Sequence, residues 1–95
     1  MPRPAIHPGE ILADELEAIG MTPTALAAQI AVPPNRLTQI IRQQRGITGD
    51  TALRLAHWFG TTAEFWLNLQ SHYDLHLAEQ RAGAEIEKLP VRASA

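Results

Sequence analysis

The chain has 95 residues, a net charge of −2 and no cysteine. This length supports one small domain, because two separate cores would have only about fifty residues each. The lack of cysteine excludes disulfides, cysteine nucleophiles and thiolate metal sites. No apolar run approaches the ~20 residues of a membrane span, and the N-terminal residues lack a signal-peptide core. We therefore expect a cytoplasmic protein without membrane contact.

Helical patterns dominate, and no segment alternates apolar and polar residues as a half-buried strand does. Residues 1–7 are rich in proline and are predicted to form an N-terminal arm. The first helix is predicted from Pro8 or Gly9 to Ile19, and Gly20 supplies its C-terminal stop. Its predicted apolar stripe consists of Ile11, Leu12, Leu16 and Ile19.

Two short helices are predicted next. Thr22 provides an N-cap and Pro23 a first residue for the second helix, which runs to about Ile30. The third helix begins at Pro34 and runs to about Arg42. The residues that these two helices are expected to bury are Leu26, Ala27 and Ile30, followed by Leu37, Ile40 and Ile41.

Two further helices complete the predicted domain. Thr48 is expected to cap the fourth helix, which ends at Gly60 and buries Ala52, Leu55, Ala56 and Phe59. Thr61 has capping-box spacing to Glu64, although Thr62 is nearly as good an N-cap. The fifth helix is expected to end near Gln80. The chain then divides into an arm (1–7), an all-α five-helix domain (8–80) and a tail (81–95) that is a candidate part of a dimer interface.

The exposed face of the third helix suggests DNA binding. Two short helices joined by about four residues match the helix-turn-helix arrangement, in which the second helix reads bases through its N-terminal residues. Asn35, Arg36 and Gln39 are therefore predicted to contact bases, since their side chains can pair with guanine or adenine. Thr38 can bond a phosphate or touch a thymine methyl. The arginines at 42, 45 and 54 are predicted to contact phosphates.

The negative net charge argues against nucleic acid until it is divided along the chain. Residues 1–20 have one arginine and four acids, a net −3, and residues 61–95 have three basic and five acidic residues, a net −2. Residues 21–60 have four arginines and one aspartate, a net +3. Net basic charge is thus confined to the predicted DNA-reading segment. Because charges are screened over a length of about 8 Å, a bound duplex would interact more strongly with these nearby arginines than with the distant acidic residues.

Less specific interpretations remain open for several features. The polar face of the third helix could be an ordinary solvated surface. The aromatic residues are expected to build the core, with one left exposed, and not a ligand pocket. The i, i+4, i+7 set of His72, His76 and Glu79 is weak as a metal site, and a solvated face is the favoured interpretation. No catalytic constellation is found, so we expect no enzymatic activity, no metal and no cofactor.

Several motifs occur between residues 7 and 76: HPGEIL (7–12), GIT (46–48), ALRLA (52–56), FGT (59–61), FWLNLQ (65–70) and YDL (73–75). Together they resemble the HigA family of bacterial antitoxins, within the Xre/Cro-like helix-turn-helix group. The combination of HPGEIL with FWLNLQ is the most specific part of the resemblance. It implies a lambda-repressor-like domain whose second and third helices form the helix-turn-helix.

The resemblance further implies an antitoxin and transcriptional autoregulator. Such a protein binds operator DNA as a homodimer and neutralises a co-encoded HigB-type toxin that cleaves mRNA. The candidate DNA-binding residues are Thr22, Thr24, Pro34, Asn35, Arg36, Thr38, Gln39, Arg42 and Arg45. Two alternatives stay open, namely a stand-alone regulator without a toxin partner and a toxin-binding module that does not read DNA.

The sequence departs from the family pattern at three places. The usual glycine of the turn between helices 2 and 3 is Ala31, and the usual serine before helix 3 is Pro33. The common Asn-Gly after helix 3 is Arg42-Gln43. A left-handed alanine would cost on the order of 1 kcal/mol. We expect the fold to tolerate these changes, whereas the operator sequence does not transfer from relatives.

Overall fold

The computed structural model describes residues 5–93, in which five helices and no strand occur. The helices are α1 (Pro8–Ile19), α2 (Pro23–Gln29), α3 (Pro34–Ile41), α4 (Gly49–Phe59) and α5 (Ala63–Glu87). The predicted all-α class and the order of the five helices are confirmed. Most of the predicted N-terminal arm lies outside the described residues. None of the helices in residues 5–93 combines the length and apolar character that crossing a membrane requires.

The first helix begins with a capping box built on a histidine. His7 accepts a hydrogen bond at Nδ1 from the backbone N–H of Gly9, at 2.9 Å. Its own backbone N–H donates to the carboxylate of Glu10, at 3.1 Å. Two donors that a helix start leaves without partners are thereby satisfied. The first four residues of the HPGEIL motif thus form the start of α1.

The threonines before α2, α4 and α5 are used in different ways. Thr22 caps α2 by accepting from the backbone N–H of Ala25. Thr48 occupies the N-cap position of α4, but its side chain makes no capping hydrogen bond, so the predicted cap is correct only in position. Thr62 caps α5, while the hydroxyl of Thr61 accepts instead from Trp66 Nε1 at 3.0 Å. Sequence spacing alone could not decide whether Thr61 or Thr62 is the N-cap of α5.

One core joins the helices. The α4 helix packs on α5, α2 packs on α3, and α1 contacts both α3 and α5. Gly9 allows α1 to lie directly against the backbone of α3, since a Cβ at this position would overlap the backbone carbonyl of Ile40. The largest fully buried side chains are those of Trp66, Leu12, Leu26, Leu37, Ile40 and Leu55. This packing fixes α3 with its polar face outward.

Four expectations about burial and length are corrected. Ile19 is half exposed because it is the last residue of α1, where that helix leaves the core. Ile41 and Phe59 are only partly buried. The α5 helix continues to Glu87 and does not end near Gln80. A glycine inside a helix costs only about 1 kcal/mol, so Gly83 does not stop α5; the helix ends shortly before Pro90, whose ring disfavours helix in the preceding residue.

Candidate nucleic-acid interface

The turn between α2 and α3 is closed by backbone hydrogen bonds. The N–H of Val32 donates to the carbonyl of Ala27 at 3.0 Å, and the N–H of Ala31 donates to the carbonyl of Ala28. Ala31 has a φ of +57°, in the left-handed region that was expected for this position. The alanine adopts the conformation for which a glycine would be the unstrained choice.

Arg54 of α4 braces this strained turn. Its Nη1 donates to the carbonyl of Ile30 at 2.9 Å and lies 3.5 Å from the carbonyl of Ala31. Its Nε donates to Asp50 at 3.0 Å. The sequence suggested a phosphate contact for Arg54; its Nε and Nη1 donate within the protein, and a phosphate contact by the rest of the guanidinium stays a prediction. Because α2 ends without a basic side chain of its own, Arg54 from another helix supplies the positive charge at its C-terminal carbonyls.

The α3 helix divides sharply into a buried face and a polar face. Leu37 and Ile40 are buried, whereas Asn35 and Arg42 are exposed and Gln39 is half-buried. Pro33 precedes the helix without a side-chain cap, as the departure from the family pattern implied, and Pro34 opens it. The predicted start of the third helix at Pro34 and the burial of Leu37 and Ile40 are confirmed. Which of its side chains touch DNA stays a prediction.

Thr38 differs from the other polar residues of α3 because its hydroxyl is turned toward its own helix. The Thr38 Oγ1 lies 3.2 Å from the carbonyl of Asn35 and 3.5 Å from that of Pro34. A phosphate oxygen can only accept hydrogen bonds. A phosphate contact by this hydroxyl therefore requires that it rotate away from the carbonyls, whereas its methyl group is free of that constraint.

The guanidinium of Arg36 is also paired within the protein. Its Nη1 lies 2.7 Å from Asp50 Oδ2, and its side chain is 28% exposed. The two arginines together hold the pKa of Asp50 below its ordinary value, with the hydrogen bond from Arg54 the largest cause. This exposed cluster of Arg36, Asp50 and Arg54 joins α3, the recognition helix of the predicted helix-turn-helix, to α4. The cluster was not predicted from the sequence, although the i, i+4 spacing of Asp50 and Arg54 is a signal for the ion pair between these two residues.

The loop after α3 is anchored to α5. Gln43 adopts a φ of +62°, which ends α3 in place of the more common glycine. The backbone N–H of Ile47 donates to Gln70 Oε1 at 2.7 Å, and Gln70 Nε2 donates to Asp74 at 2.9 Å. Gln70, the last residue of FWLNLQ, thus fixes the loop that carries the exposed Arg45. This tether spans 23 residues and had no signal in the helical pattern.

The remaining candidate residues lie around this helix pair. Thr22 and Thr24 are exposed at the start of α2, and Arg45 lines a shallow cleft together with Arg36 and Thr48. Among residues 5–93 no group of three or more histidines and acids is arranged to hold a metal ion. The aromatic side chains mostly pack inward, as expected, with Trp66 buried and Phe65 exposed by 43%.

Comparison with known proteins bears directly on this geometry. Virulence-associated protein I of Dichelobacter nodosus is 56% identical over 78 residues, which cover 81% of this chain and 72% of that protein. A HigA-family addiction module antidote protein from Coxiella burnetii has a TM-score of 0.91 and 53% identity, covering 97% of this chain and all of that one. The chain belongs to the HigA family.

A further HigA structure includes DNA. Pseudomonas aeruginosa antitoxin HigA with the higBA promoter has a TM-score of 0.88 and 44% identity, over 96% of this chain and 100% of that one. No family model matches the chain. The resemblance inferred from HPGEIL and FWLNLQ is confirmed at the level of the HigA family, and with it the helix-turn-helix character of the fold.

Proposed function

We propose that this protein is an antitoxin and transcriptional autoregulator that binds operator DNA as a homodimer and neutralises a HigB-type, mRNA-cleaving toxin. The observation that carries the DNA-binding half is the polar, acid-free face of α3 on a domain so similar to a HigA bound to promoter DNA. Operator DNA and an mRNA-cleaving toxin both occur in the cytoplasm, which supports a cytoplasmic location for this protein. Neither of the two proposed roles requires it to catalyse a reaction.

The proposed contacts follow from the chemistry of each side chain. Asn35, Arg36 and Gln39 lie in the first turns of α3, from which a helix in the major groove reaches base edges. Other candidates would hold the sugar-phosphate backbone and fix the register. These are the hydroxyls and the ring at the helix starts (Thr22, Thr24 and Pro34) and the guanidinium groups of Arg42 and Arg45. Thr38 would bond a phosphate through its hydroxyl or touch a thymine methyl through its own methyl group.

The dimer is supported by exposed apolar side chains on the C-terminal half of α5 and directly after its end. Leu75, Ile86 and Leu89 expose 56–63% of their surface. Exposed apolar side chains on one long helix are typical of association surfaces. The C-terminal segment 81–95 is proposed to take part. Two copies would place two α3 helices in successive major grooves, ~34–36 Å apart.

The toxin-binding half rests on charge. The α1 helix exposes Asp14, Glu15 and Glu17, and none of them has an ion-pair partner within residues 5–93. A row of solvated carboxylates suits a basic protein such as a ribonuclease that binds mRNA. Because the acidic side chains lie on α1 and the basic ones in the central segment, toxin and operator would be held by different elements.

A gel-shift series tests the DNA-binding half. The probes are a duplex from the promoter region upstream of the protein's own gene and a scrambled duplex of equal composition. Arg36→Ala should weaken promoter binding by ~1–3 kcal/mol if Arg36 is bidentate to guanine. Arg81→Ala, which removes an exposed arginine of α5, is the matched control. Equal wild-type affinity for the two duplexes would exclude sequence-specific binding and leave only a toxin-binding module.

A second experiment tests the toxin-binding half. The small protein encoded beside this gene is co-expressed with it, and mRNA cleavage is measured with and without the antitoxin. Suppression of cleavage together with co-purification is expected. Specific promoter binding without any effect on the neighbouring product would instead identify a stand-alone regulator.

A further inference from the structure

Asp50 occupies an unusual position in the charge pattern of the molecule. It is the only acidic residue between positions 18 and 63, within the segment whose net charge is positive. Its Oδ2 accepts from Arg36 at 2.7 Å and from Arg54 at 3.0 Å. One carboxylate therefore contacts both the recognition helix and the arginine that braces the helix-turn-helix turn.

We propose that Asp50 is a specificity-determining residue, which holds Arg36 through Nη1 away from the phosphates of unrelated DNA and leaves the Nε and Nη2 edge of its guanidinium for a base that accepts two hydrogen bonds. This inference rests on the proposed DNA-binding function and adds a residue that was absent from the candidate contacts. Asp50 itself touches no base in this scheme. It acts through Arg36, as a positioning residue.

The relative strengths of the competing contacts support this role. An exposed ion pair between single charges stabilises by at most about fivefold in an equilibrium constant. A phosphate offers Arg36 a comparable single-charge contact, so leaving Asp50 for a phosphate gains little. A bidentate contact with guanine discriminates by about fivefold to 150-fold, and Arg36 can make it through Nε and Nη2 while Nη1 stays on Asp50, so the ion pair is not lost. The carboxylate therefore lowers affinity for any backbone but not for the correct base.

A purely structural role is the competing explanation. Asp50 lies in the first turn of α4, where a negative charge is favourable, and it holds Arg54 near the turn carbonyls. If this were its whole role, its removal would lower thermal stability and weaken all DNA binding alike. The two explanations therefore differ in the ratio of affinities for two duplexes, which folding alone does not change.

The experiment compares Asp50→Asn with wild type on two duplexes of equal length. One is the sequence that wild-type protein enriches from a randomised duplex library, and the other is its scrambled version. Asparagine keeps an oxygen acceptor and removes the charge. Glu64→Gln is the matched control, since Glu64 is also an acid in the first turn of a helix, at the start of α5. Thermal denaturation of each variant accompanies the affinities.

We expect Asp50→Asn to bind the scrambled duplex about fivefold more tightly, with less than a twofold change on the selected duplex. The salt slope on the scrambled duplex should steepen by about 0.9, which corresponds to one additional phosphate contact. Glu64→Gln should leave the affinity ratio unchanged. In an Arg36→Ala background, Asp50→Asn should no longer alter the ratio, because the residue through which it acts is gone.

Several results would overturn the inference. Equal tightening on both duplexes would indicate a general charge effect, and equal weakening with a lower melting temperature would indicate a structural role. An undiminished effect in the Arg36→Ala background would show that Asp50 acts elsewhere. If wild-type protein enriches no sequence, the proposed DNA reading falls together with this inference. If it enriches one and Asp50→Asn keeps the same ratio, only this inference falls.

Discussion

His7 shows how much of the local structure depends on one side chain. It is 3% exposed, caps α1 through Nδ1, and packs edge-on against the ring of Tyr73 with centroids 4.7 Å apart. Burial lowers the pKa of His7 below its ordinary value, and the nearby carboxylates of Glu10 and Asp74 only partly oppose this. Protonation would also remove the lone pair that accepts from Gly9. The fold therefore requires the neutral imidazole.

This requirement predicts a dependence of stability on pH. Unfolded His7 takes up a proton near pH 6.5, whereas in the folded state it does so only at lower pH. The free energy of unfolding should therefore fall as the pH drops below about 6.5, until the lowered folded pKa is passed. His7→Asn keeps a good N-cap without a titrating group and should flatten this dependence. Urea unfolding at pH 7.5 and 5.5 measures the difference in the free energy of unfolding between the two pH values. If this difference is the same in the variant as in wild type, His7 is excluded as its source.

Ala31 allows a stabilising substitution to be predicted. Its φ of +57° is strained for alanine and unstrained for glycine. Ala31→Gly should raise the free energy of unfolding by up to ~1 kcal/mol, and the melting temperature by roughly 4–8 °C. Ala28→Gly, one turn earlier and inside α2, should have the opposite effect, by about 0.5–1 kcal/mol. Thermal denaturation of the pair checks both signs, and a loss of stability in both variants would contradict the strain at residue 31.

Among the elements, the pairing of α1 with α3 depends on a glycine. A Cβ on Gly9 would overlap the backbone carbonyl of Ile40, which has no flexible atoms to move aside. Gly9→Ala should therefore destabilise by roughly 1–3 kcal/mol through forced separation of the two helices. Gly49→Ala, in the first turn of α4 with open space around it, is the control and should be neutral or slightly stabilising. Equal melting temperatures for the two variants would argue against a tight α1–α3 contact.

The exposed part of α5 supports a prediction about assembly. Replacing Leu75 and Ile86 by lysine should dissociate the proposed dimer, because two charges would be placed on its apolar face. Leu53→Lys, at a leucine of α4 with nearly the same exposure, should leave the mass unchanged. Light scattering at micromolar concentration gives the mass of each variant. Monomeric wild-type protein would refute the dimer without bearing on the fold.

The elements also show which features the sequence can predict. Helix starts were predictable because proline and threonine act on adjacent residues, and Leu26, Leu37 and Leu55 followed from helical periodicity. The Asp50–Arg36 pair and the Gln70 tether connect residues 14 and 23 positions apart, which no local pattern encodes. The prediction that α5 ends near Gln80 was wrong, because a long helix tolerates Gly83 at modest cost. Patterns among neighbouring residues therefore predicted the helices, whereas the hydrogen bonds between helices could be found only in the three-dimensional structure.

For the whole molecule, the arrangement of charge matters more than its sum. The net charge of −2 combines a basic centre with acidic flanks. Association with DNA should weaken steeply as salt is added, by about 0.9 logarithmic units per logarithmic unit of salt for each phosphate contacted. Replacing Arg42 and Arg45 by alanine should reduce the slope by about 1.8. Replacing Arg81 and Arg92, the same charge removed from the C-terminal region, should not. Equal slopes for the two double variants would contradict the location of the interface.

The length of α5 has a consequence for how the protein moves through solution. The molecule measures 53 × 30 × 22 Å, and its radius of gyration is 16.5 Å, whereas about 12 Å is typical of a compact domain of this size. Gel filtration sorts particles by hydrodynamic radius and not by mass, so an elongated single chain elutes early and resembles a larger, rounder protein. Its tumbling is also anisotropic, slower end over end than about the long axis. A retention volume alone would therefore overstate the number of subunits.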